Sequence, residues 1–264
     1  MDIVAVIILL IAGFLFGTLS SIVGIGGGVF FVSFMILLFF FPVELAIDTS
    51  VFIILISSGA GFFTYVKDER LHFKQVIIFA SFSILGSFVS TIVFLFVYLD
   101  STLLKILFAS TLLIAGLNMI YKTIKSKKNY QQEEKEERDF TLSGHDYRSN
   151  LKKSIPLFFL AGFVANLLGI GGGIINTPAL HMILHYPIHN ATAISVGIIF
   201  FTAIYNTIAK SIVGQIDYLI GILIGVGSIL GSIFGAKISG KMPKNQLQFL
   251  VAIVLIGLAI RMYF

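Results

Sequence analysis

Apolar residues run along the chain in segments of roughly 20, the number a helix needs to cross about 30 Å of hydrocarbon, and polar residues gather in short connections between them. In the first half the segments cover roughly 3–23, 29–41, 45–66, 75–98 and 102–122. In the second they cover roughly 155–168, 174–186, 191–211, 218–236 and 245–264. The second member of each set is about 13 residues long, too short to cross comfortably. Each is preceded by the run GIGGG, at Gly24–Gly28 and Gly169–Gly173, and followed by Pro42 or Pro187. The pattern predicts an all-α polytopic membrane protein in which each half is a broken glycine hairpin followed by three transmembrane helices.

The two halves read as copies of one unit at an offset of 145 positions. Gly17 falls on Gly162, GIGGG on GIGGG, Pro42 on Pro187, Ala46 on Ala191 and Ser50-Val51 on Ser195-Val196. The string ILGS at Ile84–Ser87 falls on ILGS at Ile229–Ser232, and after a two-residue slip Leu117–Met119 falls on Ile260–Met262. The chain therefore divides into a first membrane repeat over 1–124, a charged linker over 125–153 and a second membrane repeat over 154–264. The linker carries eight Lys/Arg and six Asp/Glu, a composition that suits a solvated connector better than a packed domain.

Basic residues in short loops mark the cytoplasmic side of a membrane protein. They cluster in the linker, in KDERLHFK (Lys67, Arg70, Lys74) and in KISGKMPK (Lys237, Lys241, Lys244). Placing all three inside makes the second half upside down relative to the first, an inverted-topology repeat with both termini outside. Parallel halves would put Lys237, Lys241 and Lys244 outside.

Composition narrows the function. At 57% hydrophobic and 12% charged, a chain of 264 residues has too little polar surface to stay in water, so a lipid bilayer is its expected surrounding. The first segment has Asp2 as its only charge and lacks the basic start of a secretory signal, so it counts as a span. Cysteine is absent, which excludes disulfides, thiolate metal sites and thiol catalysis. The net charge of +5 belongs to the loops and to membrane orientation, so no nucleic-acid partner is expected. No nucleophile–base pair is visible, and an enzyme is not expected.

The glycine breaks are where chemistry is expected. An interrupted membrane helix leaves backbone N–H and C=O groups unpaired at several kcal/mol each, tolerable where the break is buried in protein or lines a cavity. Glycine lets a ligand or another backbone approach closely, and the helices restarting at Val29 and Ile174 present free N–H groups to an anion. Two such starts meeting near the midplane match the general plan of secondary transporters, while tight helix packing by small residues is the competing use. The expected substrate-binding residues are Gly24, Gly26, Gly27, Gly28, Ser21 and Ser50 from the first half. The second half contributes Asn166, Gly169, Gly171, Gly172, Gly173, Asn176, Thr177 and Ser195. Their side chains are uncharged donors, suited to an anion that must be released again, although each can instead bond back to its own helix.

Other polar residues carry plainer expectations. His181, His185 and His189 would share a helical face if the helix continued, but Pro187 interrupts it and no carboxylate is near, so neither a metal nor another cofactor is expected. Glu44 and Asp48 complement the dipole of the helix after Pro42, and Lys210 is expected to snorkel from a membrane end.

The two GIGGG breaks, each entering a short helix that ends near a proline, together with the ILGS repeat and the basic central loop, resemble the sulfite exporter TauE/SafE family. The resemblance covers both halves outside the linker. It implies a multi-pass permease of a bacterial or archaeal inner membrane for small sulfur-containing oxyanions such as sulfite or sulfonates. A passive anion channel, or a permease for another small anion such as a carboxylate, is the alternative, and a homo-oligomer is compatible with either. The halves are chemically unequal, with Phe31-Val32-Ser33 in the first where the second has Asn176-Thr177-Pro178.

Overall fold

A computed structural model describes residues 2–97, 100–126, 150–239 and 244–263. The first half folds into α1 (Ile3–Val23), α2 (Gly28–Phe39), α3 (Val43–Lys67), α4 (Phe73–Phe96) and α5 (Ser101–Ser126). The second half folds into α6 (Leu151–Leu168), α7 (Gly173–Pro178), α8 (Ile188–Val213), α9 (Tyr218–Ile238) and α10 (Lys244–Tyr263). Among the described residues seven helices are long and apolar enough to cross a membrane, and none forms a strand. Residues 127–149 of the linker expected over 125–153, and the basic Lys241, lie outside the described residues.

Helix ends follow local chemistry. Pro42 and Pro187 sit in extended conformation as the N-caps of α3 and α8, where a missing N–H costs nothing. These helices therefore start two to three residues earlier than the hydrophobic pattern suggests. The Asp217 carboxylate caps α9 by accepting from Ile220 N at 3.0 Å. The second short segment differs from its expected form. It is α-helical only to Pro178, then turns through a π-helical stretch, Ala179–Ile183. Pro178 has no N–H to bond back one turn, and the following chain re-pairs at wider spacing, with Leu184 N on Ala179 O at 3.2 Å.

The bundle is built around α3 and α8, where 72% of each span is buried, against 28% for the peripheral α1. These two helices run antiparallel: Asp48 meets Lys210 at one end, and Phe62 stacks on Phe200 toward the other. Helices α1 and α9 run parallel in close contact. A Cβ at Gly227, Gly231 or Gly235 would fall on the carbonyl oxygen of Leu10, Phe14 or Thr18. Helices α4 and α6 pack the same way, with Gly86 against the Phe159 carbonyl and Gly162 against that of Ser83. Small residues at these seams let backbones touch, which is how helices gain contact when lipid supplies no hydrophobic drive. The outer faces carry exposed Ile7, Leu85, Phe88, Leu117, Leu219 and Leu230, and the interior holds buried serine, threonine and asparagine. That arrangement suits hydrocarbon outside and polar chemistry within.

Candidate substrate site

The two glycine runs cross each other in the middle of the bundle. Gly26 lies against Gly171 so closely that a Cβ built on either would sit 3.2 Å from the other's Cα. Ile199, halfway along α8, touches Gly26, and Ile54, halfway along α3, touches Gly28. Gly28 and Gly173 begin α2 and α7 against the carbonyl oxygens of Gly169 and Gly24. Gly24, Gly26, Gly27, Gly169, Gly171 and Gly172 all adopt φ between 65° and 96°, the left-handed region that side chains disfavour. Positive φ and contact between two backbones thus demand glycine together at the crossing. Among the described residues the backbone N–H groups of Gly26, Gly27, Gly171 and Gly172 donate no hydrogen bond.

The side chains expected at the site divide into two groups. Ser50 Oγ donates to Gly169 O at 2.8 Å, and Ser195 Oγ donates to Gly24 O at 2.9 Å. Thr177 Oγ1 also donates to Gly24 O, at 3.0 Å. These three hydroxyls satisfy the carbonyls left open where α1 and α6 stop, so they hold the breaks in shape. Ser21 is buried and its carbonyl accepts from Tyr65 Oη at 2.7 Å. Asn166 Nδ2 donates to Ser87 O at 3.2 Å and Thr91 Oγ1 at 2.9 Å, while its Oδ1 has no partner. Asn176, 1% exposed, has no partner for either polar atom of its side chain. Beside the crossing lies a small cavity lined by Val51, Ile54, Ala165, Gly171, Ile199, Thr202, Ala203 and Asn206. Asn206 Oδ1 is also unpartnered. The three asparagines with unpartnered side-chain atoms, Asn166, Asn176 and Asn206, all belong to the second half.

The sulfite exporter TauE/SafE family matches residues 9–262, which takes in both glycine breaks and every helix of the bundle. The chain belongs to that family. Its relatives include the "probable membrane transporter protein MJ0441" of Methanocaldococcus jannaschii, 34% identical over 75% of this chain and 69% of the relative. Two proteins of Bacillus subtilis also named probable membrane transporters, YunE and YdhB, are 25% and 24% identical. Those alignments cover 95% and 90% of this chain and 94% and 91% of the relatives. No solved structure matches the chain. It is a multi-pass cell-membrane transporter and not an enzyme.

In this TauE/SafE protein the three histidines share no helical face: the helix ends at Ile183 and His185 takes φ +55°. His181 Nδ1 instead lies 2.8 Å from Tyr186 O. Lys210 does not snorkel, and Asp48 does more than complement a helix dipole. They meet at 2.8 Å between α3 and α8, each about 5% exposed. The antiparallel pairing of α3 and α8 brings Asp48, early in one, to Lys210, late in the other. Only charge sign at mirrored helix positions hinted at the pair.

Proposed function

We propose that this chain is a secondary carrier of small sulfur-containing oxyanions, sulfite or sulfonates, binding one anion where its two glycine breaks cross. The observation that carries this reading is the crossing itself: unpaired glycine N–H groups from both breaks, with the unpartnered side chain of Asn176 buried one turn beyond Gly172. Such groups cost free energy when buried without a partner, and an oxyanion with several acceptor oxygens is the complement of a set of neutral donors. The sulfur chemistry rests on the family's description as a sulfite exporter. The breaks pack too tightly to pass an ion at rest. An anion enters when the halves move apart, which is carrier behaviour and not that of a fixed pore.

The same reading makes the chain two inverted-topology repeats, 1–124 and 154–264, joined by a cytoplasmic linker over 125–153. Reciprocal contacts support it. Ser50 on Gly169 corresponds to Ser195 on Gly24, and Ser87 on Gly162 corresponds to Ser232 on Gly17. Each of these residues lies 145 positions from its counterpart, so the contacts obey a twofold relation. The twofold relates α3 to α8, which run antiparallel, so its axis lies across the helices and in the plane of the membrane. The carrier would rock one repeat against the other around the crossing.

Two measurements test this. Thermal stabilisation of the purified protein by sulfite, methanesulfonate, sulfate, thiosulfate and acetate should show a rise in melting temperature confined to sulfur oxyanions, since a ligand that binds only the folded state stabilises it. Stabilisation by acetate alone would replace the substrate class with carboxylates. For topology, Lys237→Cys should react with an impermeant maleimide only from the cytoplasm, and Gln215→Cys only from outside. Both side chains are exposed and the chain has no cysteine to confuse the label. External labelling at position 237 would make the halves parallel.

A further inference from the structure

Among the described residues Asp48 and Lys210 are the charged side chains buried in the core. Taking two charges out of water costs several kcal/mol per ion, and in a membrane bundle such a pair calls for a reason beyond stability. The Asp48 carboxylate is occupied on both oxygens, by Lys210 Nζ at 2.8 Å and by Gln215 N at 2.9 Å. Lys210 is not matched in the same way. Its ammonium lies 2.8 Å from Asp48 Oδ1 and 4.0 Å from the Phe94 ring centre, so one carboxylate oxygen and one ring face serve three N–H donors.

The position of the pair gives that mismatch meaning. One turn back along α8 from Lys210 is Asn206, and one turn on along α3 from Asp48 is Val51, both of which line the cavity beside the glycine crossing. One turn before Phe94 on α4 is Thr91, which accepts from Asn166. The pair therefore stands one turn from this cavity, toward the end of the bundle where α3 begins and α8 ends. At the position equivalent to Lys210 in the first half stands Tyr65, buried and donating to Ser21 O at 2.7 Å. One end of the twofold arrangement carries a cation and the other a neutral hydroxyl.

We propose that Lys210 is the counter-charge of the transported oxyanion, and that the anion entering from the face where α3 begins displaces Asp48 from it. This rests on the reading of the crossing as an anion site. Neutral amides can accept an oxyanion's geometry but leave its charge uncompensated in a low-dielectric core, and a lysine supplies the point charge and three rotatable donors. In the empty carrier Asp48 neutralises that charge. When the anion arrives, one negative partner replaces another, so the core never holds an uncompensated cation.

The test uses the purified full chain as wild type, Lys210→Gln, Asp48→Asn and the neutral double variant, each titrated with sulfite and methanesulfonate while its melting temperature is followed. Lys210→Gln should bind about 10-fold or more weakly, the loss expected for a charge-assisted contact. Asp48→Asn should bind at least as tightly as wild type, because the competing carboxylate is gone. The double variant should bind as weakly as Lys210→Gln. A pair that only ties α3 to α8 would behave otherwise: both single changes would weaken binding through misfolding, and the double variant would recover wild-type affinity. That recovery, or weaker binding in folded Asp48→Asn, overturns the proposal. If Lys210→Gln does not fold, the contrast between Asp48→Asn and the double variant decides it, with equal affinity overturning the role of Lys210. A wild type that responds to neither anion defeats the transport reading itself, whereas a responsive wild type with unchanged Lys210→Gln defeats only the counter-charge.

Discussion

Gly173→Ala and Gly28→Ala are expected to leave almost no folded protein. A Cβ at Gly173 would fall on the Gly24 carbonyl oxygen and within 2.6 Å of the Ile25 carbonyl carbon. At Gly28 it would fall on the Gly169 carbonyl oxygen and 2.8 Å from Ile170 Cα. These neighbours are backbone, so no rotamer change relieves the clash and one break must retreat from the other. Overpacking of this kind typically costs about 1–3 kcal/mol and occasionally more. The retreat also pulls Gly24 O away from Thr177 and Ser195, and each lost bond adds roughly 1 kcal/mol. The sum reaches a large part of the roughly 5–15 kcal/mol that holds a protein together. The check is the yield of monodisperse protein in detergent and its melting temperature. Wild-type values for Gly173→Ala would mean that the breaks do not touch.

Gly26→Ala and Gly171→Ala separate folding from transport. Their added Cβ would meet the opposite Cα at 3.2 Å, a contact that a few tenths of an ångström relieves. The remaining cost is the left-handed conformation, about 1–2 kcal/mol for a residue with a side chain. The protein should therefore fold, while the methyl group occupies the place where both breaks offer their amides. Transport per folded molecule should fall steeply. Full transport per folded molecule in both variants would remove the crossing from the anion's path.

Most of the architecture is legible in the sequence because membrane burial demands it. Long apolar runs have no alternative to helices, and the prolines at 42 and 187 mark where two of them restart. The duplicated GIGGG also announces itself, since few folds tolerate four glycines in five residues within hydrocarbon. What those glycines touch was not legible. Contact between Gly26 and Gly171 depends on how the halves dock, and hydropathy carries no information about docking. The same applies to Ser50, Ser195 and Thr177, whose hydroxyls could have faced a substrate but instead satisfy carbonyls of the opposite break. The π-helical turn after Pro178 was hidden for a local reason, because a proline in a short apolar segment is compatible with a stop, a kink or a widened turn. Asp48 and Lys210 were visible as charges but not as partners, since pairing required the antiparallel contact of α3 with α8.

Asn176→Leu is expected to raise the melting temperature and abolish high-affinity anion binding in one step. The residue is 1% exposed and neither its Oδ1 nor its Nδ2 meets a hydrogen-bond partner. A buried polar group without a partner costs on the order of 1–3 kcal/mol, and an apolar side chain of similar size removes that cost. If the amide exists to donate to an oxyanion, the same change deletes a charge-assisted hydrogen bond worth about 1.5–3 kcal/mol, or roughly 10- to 100-fold in affinity. Stability and binding should therefore move in opposite directions, which is the signature of a group kept for function. Asn166→Ala provides the contrast. Its Nδ2 ties α6 to α4 through Ser87 and Thr91, so its loss should lower the melting temperature whatever happens to binding. The measurements are melting temperature without ligand and apparent affinity for sulfite and methanesulfonate, each taken on both variants. If Asn176→Leu melts lower than wild type and binds equally well, Asn176 is a structural residue, and the anion site must be sought away from it.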